Sequence, residues 1–172
     1  MNVFLVGPMG SGKSAVGRQL AQRLDLDFID SDAEIEARTG VDIAYIFERE
    51  GEAGFRSREA EVIDALSRRD RVLVSTGGGA ILDAGTRERL RTRGRVVYLR
   101  TSVDQQLART RRSNDRPLLN NDDPRGTLER LCEQRAPLYA EAAEFVVDTD
   151  GRTVKAVVDQ ICHQLGVDGV EP

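Results

Sequence analysis

The sequence is poor in the residues on which disulfide-bonded, zinc-binding and thiol-dependent proteins rely. Of its 172 residues only two are cysteine, Cys132 and Cys162, and one is histidine, His163. The cysteines have neither metal-binding nor redox spacing, so we expect ordinary helical residues and a reducing, cytoplasmic compartment. His163 falls on the apolar-periodic C-terminal segment, where we expect a surface or packing role rather than catalysis.

Long apolar runs and excess positive charge are also missing. No apolar stretch approaches the roughly 20 residues of a membrane span, and the N-terminal segment Met1–Gly7 has no basic region. We therefore expect no membrane partner and no signal peptide. The net charge is −4, and only eight residues are aromatic, five Phe and three Tyr. Both features count against a nucleic-acid partner.

Lysine is scarce, and this changes how much weight each basic residue carries. Of the 25 basic residues 23 are arginine, and only Lys13 and Lys155 are lysine. Because arginine supplies the routine surface charge, a single arginine is weak evidence for a site, whereas a lysine stands out.

The composition and the order of apolar segments predict one α/β domain covering residues 1–172. Apolar residues make up 40% and charged residues 31%, and a chain of this length can bury about 70% of its unfolded surface. Short apolar, β-branched runs alternate with helix-length amphipathic stretches, which is typical of a parallel sheet. We expect a three-layer α/β/α sandwich whose five strands are Asn2–Val6, Asp27–Ile29, Val72–Ser75, Arg95–Leu99 and Glu144–Val147.

The helices are predicted from their starts and their periodicity. Ser31 with Glu34, and Ser102 with Gln105, fit the capping box, and Asp123 precedes a proline that suits the first helical position. Apolar spacing predicts two further helices, Glu52–Arg69 and Thr153–Leu165. Between Arg109 and Arg125 the only aliphatic residues are Leu118 and Leu119, so we expect a mobile surface segment there.

The strongest motif is Gly7–Ser14, which matches G-x-x-x-x-G-K-[ST] in full. It follows an apolar strand and opens an amphipathic helix, which is the context that a P-loop requires. Glycines let backbone N–H groups point at phosphate oxygens, and the helix N-terminus adds partial positive charge. Lys13 is expected to reach the β and γ phosphates, and the Ser14 hydroxyl is placed to bind Mg²⁺.

The P-loop alone does not name the function, but two classes are disfavoured. A guanine-nucleotide switch needs an Asn/Thr-Lys-x-Asp motif, and the surroundings of Lys155 do not fit it. A motor ATPase is expected to end a strand in acidic residues, whereas Val72–Val74 runs into Ser75–Gly79 without a carboxylate.

Carboxylates follow the second strand instead, as Asp30-Ser31-Asp32. This is the sheet edge where ligands bind, and alternation along an extended chain would point both aspartates the same way. The alternative is that Ser31 caps a helix and the aspartates only complement its dipole. Gly77–Gly79 is similarly open to two interpretations, a permissive turn or a close approach of backbone to a ligand.

Six motifs follow one another along the chain: Gly7–Ser14, Asp30–Asp32, Gly54-Phe55-Arg56-x-x-Glu59, Ser75–Gly79, Arg116–Leu119 and Arg135-x-Pro137-Leu138-Tyr139. Together they resemble the shikimate kinase family from the N-terminus to about residue 165. The resemblance implies a nucleoside monophosphate kinase-like fold with a substrate-binding region near 31–61 and a lid near 109–125. It also implies transfer of the γ-phosphoryl of ATP to the 3-hydroxyl of shikimate, a step of aromatic amino-acid biosynthesis, by a monomer.

The resemblance also implies residue roles. Asp32 would orient the attacking hydroxyl and is the candidate base, beside the catalytic residues Lys13 and Arg116. Arg56 and Arg135 would bind the shikimate carboxylate, with Gly78 offering a backbone contact, and Asp30 would support Mg²⁺ beside Ser14. The implied ATP-binding residues are Gly10, Ser11, Gly12, Lys13, Ser14, Ala15, Arg116 and Arg152. Physical chemistry supports this division of roles among the residues, because phosphoryl transfer needs positioning, charge neutralisation and the exclusion of water.

Three alternatives remain. A gluconate-type kinase would share the P-loop and lid but lack the Arg56 and Arg135 clamp together with the Asp30 and Asp32 pair. A regulatory module that binds ATP without turnover would have lost a catalytic group. A nucleic-acid binder conflicts with the acidic composition.

Overall fold

The computed structural model describes residues 1–110, 119 and 121–167, and its centre is a five-stranded parallel sheet in the order β2-β3-β1-β4-β5. The strands are Val3–Val6 (β1), Asp27–Asp30 (β2), Val72–Ser75 (β3), Arg95–Arg100 (β4) and Phe145–Asp148 (β5). Each predicted strand is confirmed to within one residue at either end. Because β1 lies between β3 and β4, the loop after β1 is at the point where ligands bind in open α/β sheets.

Helices cover both faces of this sheet. They are Lys13–Leu24 (α1), Ser31–Thr39 (α2), Ile43–Ser67 (α3), Ala84–Arg93 (α4), Val103–Thr110 (α5), Pro124–Ala142 (α6) and Val154–Leu165 (α7), with a short 3₁₀ helix at Ala80–Leu82. Alternate residues of β1 divide between two cores, with Phe4 facing α2, α3, α4 and α6 and Leu5 facing α1 and α7. The predicted three-layer sandwich is confirmed. Among the described residues no helix is long and apolar enough to cross a membrane.

Several helix ends agree with the sequence, and one predicted helix is longer than expected. Ser102 Oγ accepts from Gln105 N at 3.2 Å, and Asp123 Oδ1 accepts from Gly126 N at 3.0 Å, as N-terminal caps. The helix predicted to start at Glu52 begins at Ile43 and passes through a kink at Gly51. There the backbone has φ 72°, which interrupts the apolar periodicity that the sequence prediction relied on.

The predicted capping box at Ser31 is wrong, because the helix starts one residue earlier than that box requires. Asp30 is the N-cap, and its carboxylate accepts from Asp32 N at 2.9 Å and from Ala33 N at 3.1 Å. Asp32 is therefore helical, and the expected alternation of Asp30 and Asp32 along an extended chain does not occur. Ser31 instead accepts a hydrogen bond from Gly77 N at 3.1 Å, which ties α2 to the turn after β3.

The prediction of a mobile surface segment from Arg109 to Arg125 is wrong at both ends, because helices occupy them. Arg109 and Thr110 form the last turn of α5, and Thr110 is buried, with its hydroxyl donating to Gln106 O at 2.7 Å. At the other end Pro124 already belongs to α6. The residues between these helices lie outside the described part of the chain, apart from 119 and 121–123. His163 and Cys132 are exposed, and Cys162 is buried in the core beneath α7.

Candidate active site

The P-loop connects β1 to α1 and takes a backbone path that only glycine follows without strain. Gly7 has φ 150° and Gly12 has φ 84°, and a Cβ at Gly7 would lie 2.6 Å from Leu99 O on β4. Lys13 folds back over the loop, and its Nζ donates to Gly7 O and Pro8 O at 2.8 Å each. The loop thus places an ammonium group at its mouth, beside the N-terminus of α1.

Ser14 and Asp30 meet at the same sheet edge. Ser14 Oγ donates to Asp30 Oδ2 at 3.0 Å, and the other carboxylate oxygen of Asp30 caps α2. Two hard oxygen donors therefore face the phosphate loop. Mg²⁺ prefers such donors and takes few of them from the protein, filling its shell with water and substrate phosphates.

A cavity of about 300 Å³ joins these groups to the turn after β3. It contains most of the residues that the sequence singled out: Gly10, Gly12, Lys13, Ser14, Ala15, Asp30, Asp32 and Gly78. Ser11, the remaining predicted loop residue, is buried beneath the loop, where its hydroxyl lies 3.3 Å from Lys13 Nζ. The fold thus brings a phosphate-binding loop, two aspartates and a glycine turn to one opening.

Two carboxylates from different helices converge on Gly77. A Cβ at this position would lie 2.9 Å from Asp32 Oδ1 and 2.7 Å from Glu59 Oε2. Asp32 lines the cavity, whereas the Glu59 side chain is only 3% exposed. The pKa of Glu59 is raised to about 7, because burial, with a smaller contribution from the negative charge of Asp32, outweighs the lowering by Arg56 and Arg135. Glycine at 77 therefore keeps room for both carboxylates.

Arg56 is held against the same turn from α3. Its Nη1 donates to Glu59 Oε1 at 2.9 Å, and a Cβ at Gly79 would overlap its guanidinium group. The Nε atom of Arg56 is buried and has no hydrogen-bond partner in the described part of the chain. A partly buried guanidinium with a spare Nε donor is suited to an anionic ligand such as a carboxylate.

Arg135 reaches the turn from α6 and is 4% exposed. Its Nη1 would lie 3.6 Å from a Cβ at Gly78, and within the described ranges its buried Nε also has no partner. Four residues further along α6, Tyr139 donates from its hydroxyl to Gly78 O at 2.5 Å. Arg56 and Arg135, predicted to act together, therefore flank one glycine turn.

Arg109 is a residue at the site to which the sequence reasoning gave no role. Its Nη1 donates to Gly10 O at 2.8 Å, and it lines the cavity with Lys13. In a sequence with 23 arginines no local signal separates it from surface charge. Only the packing of α5 against the loop shows its position.

One predicted residue lies away from both the cavity and the glycine turn. Arg152 lies after β5, where its guanidinium donates to Asp148 O at 3.0 Å and Ala156 O at 3.2 Å and also contacts Gln160. These bonds give it a structural role at the start of α7, and its contact with adenine stays a prediction. Arg116 lies outside the described residues.

The parallel sheet with a P-loop beside its central strand defines a P-loop nucleotide-binding protein of the kinase-like type. Deoxyadenosine kinase from M. mycoides with bound dATP shares this fold, with a TM-score of 0.63 at 14% identity, covering 96% of this chain and 100% of that one. The sequence model of the shikimate kinase family matches residues 9–166, and the chain belongs to that family.

Curated relatives and a solved structure agree with this assignment. The shikimate kinase of Shewanella frigidimarina is 57% identical over 165 residues, covering 96% of each chain. That of Alteromonas mediterranea is 54% identical over 166 residues, covering 96% of this chain and 97% of the relative. The structure of shikimate kinase from Acinetobacter baumannii in complex with shikimate has a TM-score of 0.94 at 45% identity, covering 99% of this chain and 95% of that one.

Proposed function

We propose that this protein transfers the γ-phosphoryl group of ATP to the 3-hydroxyl of shikimate, giving shikimate 3-phosphate and ADP for aromatic amino-acid biosynthesis. The observation that carries the proposal is the single opening shared by the P-loop, Asp32 and the glycine turn that Arg56 and Arg135 flank. Shikimate is a small triol carboxylate. It needs cations at its acid end and a carboxylate at its hydroxyl end.

The acid end is assigned to Arg56, Arg135 and the backbone at Gly78. Both guanidinium groups have a buried Nε atom without a partner in the described residues, so an incoming carboxylate would satisfy donors that the protein leaves unused. This also argues against a gluconate-type kinase, which we expected to lack that clamp together with the aspartate pair.

The hydroxyl end is assigned to Asp32. Its position at the N-terminus of α2, on the wall of the phosphate cavity, suits a group that orients a hydroxyl and accepts its proton as the new O–P bond forms. Lys13 would neutralise charge on the β and γ phosphates. Arg116 would close over the phosphates, and Arg152 would lie near the adenine.

Ser14 and Asp30 are the groups that would hold Mg²⁺, Asp30 through water. The ion, when bound, supplies positive charge that offsets the charge of the transferring phosphoryl group. We further propose that the protein acts as a cytoplasmic monomer, because it has few cysteines and resembles a family whose short members are monomeric.

The test is ADP release from Mg·ATP with shikimate, with gluconate and with water alone. We expect stimulation by shikimate only. ATP binding without stimulation by either acceptor would favour the regulatory module, and stimulation by gluconate would favour another small-molecule kinase on this scaffold. The Lys13→Ala variant is the control, because it removes the phosphate contact and should release no ADP under any condition.

A further inference from the structure

The glycine turn Gly77–Gly79 has no side chains of its own, yet its backbone is held at each residue by a different helix. Gly77 N donates to Ser31 Oγ on α2 at 3.1 Å, and Gly78 O accepts from the Tyr139 hydroxyl on α6 at 2.5 Å. Arg56 on α3 packs directly against Gly79. Three consecutive glycines lose much conformational entropy on ordering, so external contacts of this kind are needed to fix them.

Tyr139 is the contact that joins the turn to a predicted carboxylate-binding residue. Its hydroxyl donates to Gly78 O, and the guanidinium of Arg135, four residues earlier on the same helix face, lies close enough to lower the pKa of that hydroxyl. Burial raises the pKa of Tyr139 above its ordinary value, and the Arg135 guanidinium opposes that rise. The hydroxyl therefore keeps its proton at neutral pH and remains a donor to Gly78 O.

Packing alone does not require a tyrosine at this position. The ring of Tyr139 is 2% exposed and lies against the ring of Tyr98, with centroids 5.0 Å apart, and phenylalanine would provide the same apolar surface. A buried hydroxyl is costly unless it is hydrogen-bonded, and here its acceptor, Gly78 O, belongs to the proposed acid end of the site. The Tyr139 hydroxyl thus serves to align the glycine turn rather than to pack the core.

We infer that Tyr139 and Ser31 are positioning residues for the substrate carboxylate. The two hydroxyls fix the path of Gly77 and Gly78, and Tyr139 at the same time holds the Arg135 guanidinium beside the turn. Without the Tyr139 hydroxyl, Gly78 O loses its partner and the turn and the guanidinium can move independently. The inference deepens the proposed function and rests on it, since it assigns these hydroxyls to recognition of shikimate.

The test compares Tyr139→Phe with Tyr98→Phe, which removes a hydroxyl from the neighbouring ring away from the turn. For Tyr139→Phe we expect the KM for shikimate to rise about tenfold, with kcat within threefold and the KM for ATP within twofold of wild type, because leaving a partly buried carbonyl oxygen without its donor costs about that much. Tyr98→Phe should leave all three constants unchanged. A double-mutant cycle with Arg135→Lys should be non-additive in the KM for shikimate.

Equal effects on both substrates, or an unchanged KM for shikimate, would overturn the inference. If Tyr139→Phe does not fold, Ser31→Ala provides the second variant, and it should raise the KM for shikimate selectively; an unselective or absent effect contradicts the inference. The activity of the wild-type protein distinguishes a failure of the proposed function from a failure of the inference alone. If wild type shows no shikimate-dependent ADP release, the proposed function fails and the inference with it, whereas an active wild type with an unaffected Tyr139→Phe overturns the inference alone.

Discussion

Arg56 and Glu59 form an ion pair of unequal exposure beneath the glycine turn. They are three residues apart on α3, with Nη1 2.9 Å from Oε1, and their side chains are 20% and 3% exposed. Burial disfavours the carboxylate more than the two arginines favour it, so the pKa of Glu59 rises to about 7. The cation that is proposed to bind shikimate is thus held by an acid that ionises near neutral pH.

Glu59→Gln should change how stability depends on pH. A raised pKa means that the folded chain binds this proton more tightly than the unfolded chain, so the resulting stability is present at low pH and lost as pH rises through about 7. Glutamine does not titrate, so the variant lacks this pH-dependent stability. The free energy of unfolding of the variant minus that of wild type should therefore increase by about 3 kcal/mol between pH 4 and pH 8.

Urea unfolding at several pH values measures this difference. Glu61→Gln, which removes an exposed acid from the same helix, is the matched control and should follow the pH dependence of wild type. Parallel curves for wild type and Glu59→Gln would show that folding does not raise the pKa of Glu59.

Gly77→Ala should damage both stability and turnover. A Cβ at 77 would lie 2.7 Å from Glu59 Oε2 and 2.9 Å from Asp32 Oδ1, whereas at Gly78 the nearest atom would be 3.5 Å away. We expect Gly77→Ala to lose about 1–3 kcal/mol of stability, as overpacking does. Because it displaces Asp32, kcat/KM for shikimate should fall at least about tenfold.

Thermal unfolding and steady-state kinetics check both parts of this prediction. Gly85→Ala in the exposed first turn of α4 is the control: its Cβ would lie 3.2 Å from Asp83 Oδ2, so it should cost less stability than Gly77→Ala and leave kcat/KM unchanged. Normal activity in Gly77→Ala would mean that the two carboxylates can move apart without consequence.

The sequence predicted the sheet and the phosphate loop well because both are encoded locally. Buried strands such as Val72–Ser75 are continuous apolar runs, and the loop has a fixed spacing of glycines, lysine and serine. The kink at Gly51 and the cap at Asp30 were missed because each depends on a single backbone conformation that several neighbouring residues could have adopted.

The site was predictable only where residue type is rare or the motif is long. Lys13 stands out in a chain of arginines, and the family motifs mark Arg56 and Arg135. Arg109 carries no such signal, and Tyr139 ends a family motif without a role being predicted for it. Their contacts form when α5 and α6 pack against loops distant in sequence. Contacts between distant segments decide these positions, and a sequence pattern does not contain them.

Asp32→Asn should abolish turnover while leaving ATP binding nearly intact. The amide cannot accept the proton of the attacking hydroxyl, and general-base catalysis is worth about 10²- to 10⁴-fold. Calorimetry with ATP and a coupled ADP assay measure the two properties separately. Glu34→Gln, one charge removed from the same helix, is the control; loss of ATP binding in Asp32→Asn would contradict the assigned role.

Arg116→Ala should reduce turnover more than shikimate binding. A cation that closes over the phosphates acts on charge formed in transfer, so kcat should fall about 10²-fold or more while the Kd for shikimate stays within about threefold. Arg125→Ala, at an exposed arginine that pairs with Asp104 at 2.8 Å, is the control. A defect confined to shikimate binding would contradict the lid assignment.

Ser14→Ala and Asp30→Asn should weaken the dependence of ATP binding on Mg²⁺. The two oxygens lie 3.0 Å apart at the mouth of the loop, and loss of one such donor commonly costs about 10- to 100-fold in metal affinity. Asparagine keeps the side-chain oxygen that caps α2, so Asp30→Asn should remain folded. ATP binding in EDTA should be unchanged, because Lys13 and the loop N–H groups are intact. Titrations of ATP with and without Mg²⁺ separate these effects, and an unaltered Mg²⁺ dependence in both variants would place the ion elsewhere.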